Sequence, residues 1–411
     1  MTRRGPPEGR SARIFTLSGH HFGVVLARRS AGNGYPSVVG ETRATREPWR
    51  GGTTQQSLRI CIVASSRFPI RQPFAGGLEA HTYAVARELH RRGHHVSVFA
   101  ASGSELGFPV GTLEVSAYRG SDVSRADVAA PPELWMEEHH AYLTLMLDLA
   151  RGGTDAFDLV LNNSLHHLPV AMAPSLRIPV VTTLHTPPVP WLESAIKVAG
   201  GAGTFVAVSR AMRAAWSHAV SALVILNGVD ADLWVPGTGG QDAVWSGRLV
   251  PEKAPHEAID AVRRTGRTIT VAGPMLDRAY FDREIQPRLG DKVRYAGHLD
   301  QRALCELVGS SAVAVVTPQW DEPYGLVAAE AMACGTPVAA YGRGGLNEIV
   351  TPESGCLATS PDVAALAEAV DAAATCDRGA VRRHAVQAHG LTRMVDEYEA
   401  LFRRTVARAA A

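Results

Sequence analysis

A chain of 411 residues is too long for one ordinary hydrophobic core and about right for two domains of roughly 150 to 200 residues plus an extra segment. Its 46% hydrophobic and 20% charged residues fit a globular protein, and a formal net charge of +1 gives no global reason to expect nucleic acid as a partner. No apolar run approaches the roughly 18 residues needed to span a bilayer, which excludes a transmembrane helix and leaves peripheral contact with a membrane surface open.

Residues 1 to 57 carry nine Arg and three Glu, frequent Gly, Ser and Pro, and no sustained period, so they read as a mostly disordered basic extension or as a start codon assigned too far upstream. At Arg59 the pattern becomes regular. RICIVAS is a buried strand, residues 78 to 93 form a helix with Leu78, Thr82, Val85, Ala86 and Leu89 on one side, and HHVSVFA is the next strand. Strand, Gly-rich turn, helix and strand make a right-handed βαβ unit that starts a parallel sheet. Further apolar runs at 159 to 162, 180 to 184, 205 to 208 and 223 to 226 continue it.

A Pro, Gly and Asp-rich stretch at 236 to 242 separates a second series, with strands at 243 to 246, 268 to 272, 293 to 296, 313 to 317 and 337 to 340. The expected organisation is α/β: residues 58 to 235 form one Rossmann-like domain, 236 to 392 a second, and 393 to 411 a terminal helix that packs back across both. Two doubly wound domains place a ligand crevice between the carboxyl ends of their sheets.

Several segments supply candidates for that crevice. PFAGGLEAH sets Gly76 and Gly77 between strand and helix, where backbone approaches a ligand closely, although the turn into the helix is reason enough for them. LHTPPVP places His185 at a strand's carboxyl end, where a lone histidine is either structural or a crevice residue. In AVSRAM, Ser209 fits a helix N-cap, and in VILNGVD, Asn227, Gly228 and Asp230 read as hinge structure. WSGRLVPEKAP puts Arg248 and Lys253 on a loop feeding a helix near Pro255, as a diphosphate-binding pair or as solvated surface charges. The chain has only two other lysines, Lys197 and Lys292. VAGP and YAGHLD supply Gly273, Gly297, His298 and Leu299.

Residues 321 to 337, DEPYGLVAAEAMACGTP, place a Pro-Tyr-Gly turn before a helix at 326 to 334 that Gly335 and Pro337 end. Glu322 stands ahead of the helix and Glu330 within it, roughly 12 Å apart if helical throughout, comparable to the length of a nucleotide sugar. The plain alternative is one acid on the helix dipole and another on a solvated face. Free backbone N–H groups between them suit an anion.

This segment, with Glu separated from Glu by seven residues, Gly-Leu-Val after the turn and Glu-Ala-Met-Ala-Cys-Gly-Thr-Pro after it, resembles the signature of family 4 retaining glycosyltransferases, and the resemblance extends over roughly residues 59 to 400. It implies two facing Rossmann-like domains, the GT-B architecture, with the active site in the interdomain cleft. It further implies that Arg248 and Lys253 bind the donor diphosphate and stabilise its charge as it leaves, that Glu322 orients the sugar, that Glu330 holds the ribose, and that His185 lies near the reacting bond. Gly76, Gly77, Gly273, His298, Leu299, Tyr324, Gly325, Leu326 and Val327 complete the donor site by the same resemblance.

The implied activity is retaining transfer of a hexose from a nucleotide-diphosphate sugar, UDP-glucose first and GDP-mannose second, to a hydroxyl of a small-molecule or glycan acceptor, with no metal and no cofactor, in the cytoplasm. A sugar-nucleotide-binding subunit without activity and a GT-B epimerase or phosphorylase stay open. The acceptor pocket falls to first-domain loops such as 118 to 142, which do not name the acceptor. Other signals carry less. Asp230-Ala-Asp232 follows a turn and not a nucleotide-binding strand, His90, His94 and His95 straddle a helix end, the five cysteines lack zinc or disulfide spacing, and no Gly-Lys-Ser/Thr loop or Gly-X-Gly-X-X-Gly follows the first strand.

Overall fold

The computed structural model describes residues 57–108, 111–112, 120–126 and 132–411. The reading of residues 1 to 57 as an extension therefore lies almost wholly outside the described residues, as does part of the loop from 118 to 142.

Seven parallel strands form the first sheet: β1 (Arg59–Val63), β2 (His95–Ala100), β3 (Gly111–Thr112), β4 (Leu159–Asn162), β5 (Val180–Leu184), β6 (Thr204–Ala207) and β7 (Leu223–Val224). Their order is β3-β2-β1-β4-β5-β6-β7, so the chain reverses direction across the sheet between β1 and β4. Six more form the second: β8 (Ala243–Ser246), β9 (Ile269–Ala272), β10 (Val293–Tyr295), β11 (Val313–Val316), β12 (Val338–Tyr341) and β13 (Gly355–Ala358), in the order β10-β9-β8-β11-β12-β13 with the reversal between β8 and β11.

Helices cover both faces. Around the first sheet run α1 (Gly77–Arg91), α2 (Asp122–Arg125), α3 (Glu133–Ala156), α4 (His167–Ala171), α5 (Pro190–Val198) and α6 (Arg210–Ala215). Around the second run α7 (Pro255–Arg264), α8 (Arg278–Tyr280), α9 (Gln301–Gly309), α10 (Leu326–Ala333), α11 (Leu346–Ile349), α12 (Val363–Ala373) and α13 (Arg378–His389), before α14 (Leu391–Ala410) closes the chain.

The apolar runs follow from this burial. Along β1, Ile60 and Ile62 pack with Val85 and Leu89 of α1 and with Tyr398 and Phe402 of α14. Cys61 and Val63 face the other way, against Tyr142, Leu145 and Leu149 of α3. Although its residues follow the second sheet, α14 thus covers the first. Arg92 donates to Asp396 at 2.6 Å, His94 meets Glu399 at 2.7 Å, and the Tyr398 hydroxyl lies 3.1 Å from Thr183 Oγ1.

Two strands escaped the sequence pattern. β3 has two residues, and β13 is Gly-Cys-Leu-Ala, too short and mixed to show a period. All five cysteines are free thiols.

Candidate active site

The carboxyl ends of the two sheets enclose a cleft of about 440 Å³. It is lined by every residue that the sequence assigned to donor binding or catalysis: Gly76 and Gly77 before α1, His185 after β5, Arg248 and Lys253 after β8, Gly273 after β9, His298 and Leu299 after β10, and Glu322, Tyr324, Gly325, Leu326, Val327 and Glu330 around the start of α10.

The second-domain wall is built backbone against backbone. Gly273, at φ +142, approaches so closely that a Cβ there would sit 1.8 Å from the Gly247 carbonyl oxygen. Gly247 N–H donates to Ala272 at 3.0 Å and Gly273 N–H to Gly297 at 2.8 Å. Beyond Gly247 the loop turns through Pro251–Lys253 to Ala254, which sits left-handed at φ +44 without being glycine. Thr317 at the end of β11 holds that turn, its hydroxyl 2.8 Å from the Lys253 carbonyl, while the Trp245 indole donates to Thr317 at 3.1 Å.

Lys253 Nζ consequently meets the Glu322 carboxylate at 2.5 Å, and the Trp320 indole N–H donates to the same oxygen at 3.1 Å. The ammonium also lies 5.2 Å from the centre of the Trp320 ring. The sequence assigned these two residues separate duties and did not pair them. Arg248 is less engaged: its nearest carboxylate, Glu252, is 3.9 Å away and half-exposed.

Two helix starts point into the same space. Neither Gly76 before α1 nor Gly325, at φ +99, before α10 offers a side chain to cap the first N–H groups, although Glu79 turns its carboxylate to its own N–H in the first turn of α1. The starts nearly touch, since a Cβ on Gly77 would lie 3.6 Å from Leu326. Glu79 in the first turn of α1 is buried, and desolvation raises its carboxyl above the ordinary range against the pull of Arg248. Two cations and the uncapped start of α10 are the kind of groups that attract an anion.

Glu330 does not lie on a solvated face. It is 9% exposed inside α10, and burial lifts its carboxyl to about 8. His185 is half-buried in the cleft wall, with its ring edge-on to His81 at 4.8 Å. Desolvation, with His81 second, holds it well below its ordinary value and therefore neutral. Its Nε2 is buried with no partner among the described residues.

Other expected residues do different work. The Tyr324 hydroxyl turns away from the cleft, donating to the Asn227 carbonyl at 2.7 Å and meeting His389 Nδ1 at 2.9 Å, so it fixes the hinge. His298 uses its ring to reach across the cleft, Nε2 lying 2.9 Å from the Phe74 carbonyl, beside a Gln72 to Gln301 contact of 2.9 Å. Ser209 caps α6 and donates to Pro323 at 2.7 Å, tying the Pro-Tyr-Gly turn to the first domain. Asp230 accepts from the Asp232 N–H at 3.0 Å within the hinge. Trp320, Thr317 and His81 were missed, because nothing in their local sequence marks them.

Comparison with known proteins agrees with this geometry. The model for glycosyl transferases group 1 matches residues 237–388, and that for glycosyltransferase family 4 matches residues 75–233. The glycogen synthase of Mycobacterium tuberculosis (strain H37Rv) is 30% identical over 363 residues, covering 76% of this chain and 85% of its own. The D-inositol 3-phosphate glycosyltransferase of Acidothermus cellulolyticus is 28% identical over 378 residues, covering 76% and 82%. Among solved structures, Anabaena HepE in complex with UDP-glucose superposes with a TM-score of 0.65 at 20% identity, over 84% of this chain and 99% of that one. The sucrose-phosphate synthase of Thermosynechococcus elongatus gives 0.68 at 20%, over 85% and 99%. Two facing parallel sheets, a cleft at their carboxyl ends and a relative of this extent make the chain a member of the family 4, group 1 glycosyltransferases, with the GT-B fold.

Proposed function

We propose that this glycosyltransferase is a retaining hexosyltransferase that uses a nucleotide-diphosphate hexose, UDP-glucose before GDP-mannose, and delivers the sugar to an acceptor hydroxyl. The observation that carries the reading is the convergence of Arg248, the Lys253–Glu322 pair and the free start of α10 on one cleft. As the glycosidic bond breaks, charge gathers on the diphosphate and the sugar becomes oxocarbenium-like. Arg248, Lys253 and the N–H groups near Gly325 stabilise the departing charge. They supply the positive charge a metal ion would otherwise bring, so the proposed reaction needs neither metal nor cofactor. Glu322 orients the sugar, Glu330 accepts the ribose hydroxyls, and neutral His185 offers a ring nitrogen beside the reacting carbon.

Retention follows from attack on the face the diphosphate leaves, with that phosphate helping to remove the acceptor proton. A cytoplasmic location suits a nucleotide-sugar substrate. Incubation with UDP-glucose and GDP-mannose tests the reading: slow nucleoside diphosphate release supports it, and a protein that binds these compounds yet releases none is a binding subunit.

A further inference from the structure

Beside the donor cleft, the first domain carries a tier of ring side chains that the chemistry above does not use. Trp135 and His139, one turn apart on α3, stack at 5.2 Å with planes 14° apart. Trp191, in the first turn of α5, stands 6.2 Å from Trp135 and stacks on His167 at 5.3 Å. His167 in turn stacks on His166 at 4.3 Å, and His166 on Tyr142 at 4.2 Å. Three separate segments thus bring their rings together.

The tier adjoins the cleft through the chain itself. Leu165 and Thr186 line the cleft; Leu165 immediately precedes His166 and the start of α4, and Thr186 follows β5 in the segment that leads into α5 and Trp191. Leu165 is held left-handed at φ +63, a conformation that is strained for a non-glycine residue. A hydrogen-bonded chain maintains it: Ser164 Oγ donates to Asn162 at 2.7 Å, the His166 N–H donates to Ser164 Oγ at 3.1 Å, and the Leu168 N–H donates to His166 Nδ1 at 3.2 Å. The last contact leaves His166 its hydrogen on Nε2.

Trp191 is 61% exposed where such a side chain is ordinarily covered, and Trp135, His139 and His167 are half-buried beside it. Burial, and then neighbouring imidazoles, lower His166 to about 3 and lower His167 as well, so both are uncharged at neutral pH. Glu133, Glu137 and Glu138 on the first two turns of α3 and Glu193 on α5 add negative charge at the rim. Against them stands Arg67, close enough for its charge to act on His166, and His218 pairs with Glu193 at 2.7 Å; the four acids outnumber the one guanidinium and oppose a phosphorylated ligand. A pyranose presents C–H bonds to electron-rich ring faces and hydroxyls to carboxylates and ring nitrogens, which matches both properties.

We infer that the Trp135, His139, His167 and Trp191 tier is the acceptor-binding surface, and that it takes an unphosphorylated carbohydrate whose terminal hydroxyl enters the cleft past Leu165 and Thr186. The inference rests on the glycosyl-transfer reading for the word acceptor, and its test separates the two. The full chain is titrated with maltoheptaose, cellohexaose, mannohexaose and inositol 1-phosphate, with tryptophan fluorescence as the readout. UDP-induced thermal stabilisation is followed in parallel.

At least one oligosaccharide is expected to bind and quench the fluorescence, and Trp191→Ala to weaken it by about tenfold, the loss of one stacked ring. Trp191→Phe restores most of the binding, and stabilisation by UDP is the same in all three proteins. Undiminished oligosaccharide binding in both Trp191→Ala and Trp135→Ala overturns the inference. So does binding of inositol 1-phosphate alone, or a dimer that Trp191→Ala dissolves in the absence of glycan binding. If glycan binding follows Trp191 while no nucleotide stabilises the protein, the carbohydrate surface stands and the transfer reading falls.

Discussion

Lys253 Nζ lies 2.5 Å from Glu322 Oε2, joining residues 69 positions apart into one ion pair at the mouth of α10. The pair forms because β8 and β11 are neighbours, so the loop after β8 and the turn after β11 leave the sheet side by side. In the proposed reaction an incoming diphosphate would draw on the ammonium and free the carboxylate for sugar hydroxyls.

On the proposed mechanism the ammonium would act mainly on charge that develops during bond breaking. Lys253→Ala should lower kcat by about a hundredfold, in the range for removing one such stabilising donor, with KM for the donor little changed. Steady-state nucleoside diphosphate release measures both. A large rise in KM with kcat intact would instead assign Lys253 to ground-state binding.

Glu330 should govern donor affinity and also set a pH dependence of stability. Burial raises its carboxyl from 4.5 to about 8, so between these values the folded chain holds a proton that the unfolded chain has released. Stability from this group is therefore full below about pH 4.5 and falls as pH rises towards 8. Glu330→Gln removes that fall and should be more stable than the parent at pH 9, with the gain shrinking towards pH 5, while donor binding weakens. Urea unfolding at both pH values checks the sign; a gain that does not vary with pH contradicts the burial argument.

His298 and Gln72 hold the two domains together across the cleft through the Phe74 carbonyl and Gln301. Replacing both by Ala should favour an open arrangement, seen as a larger radius of gyration in solution scattering and a severalfold higher KM. An unchanged radius with an unchanged KM would show that these contacts do not control closure.

Gly273 is required for space as well as for its φ. Ala at this position sets a methyl against the Gly247 carbonyl and should cost at least about 2 kcal/mol in denaturant unfolding. Gly77→Ala, where φ is ordinary helix and the nearest atom is 3.6 Å away, should cost far less. Equal losses in the two variants would mean that the close approach of β8 and β9 is not as described.

Much of this was legible because buried parallel strands read as continuous apolar runs, as in Val180–Leu184 and Val313–Val316, and because the segment from Glu322 to Glu330 packs several functional residues into one stretch. Side-chain direction was not. Tyr324 and His298 sit where expected, but partners from the hinge and the opposite domain decide where their polar atoms point. The ring tier was invisible for a related reason: Trp135, His167 and Trp191 come from three segments that only the sheet order brings together.

The most direct measurement is a crystal structure of the full chain with an intact nucleotide-diphosphate hexose. The account predicts the diphosphate between Arg248, Lys253 and the first turn of α10, the hexose against Glu322 and His185, and the ribose on Glu330. A donor bound outside the cleft between the two sheets, or one bound there with its diphosphate away from Arg248 and Lys253, would contradict it.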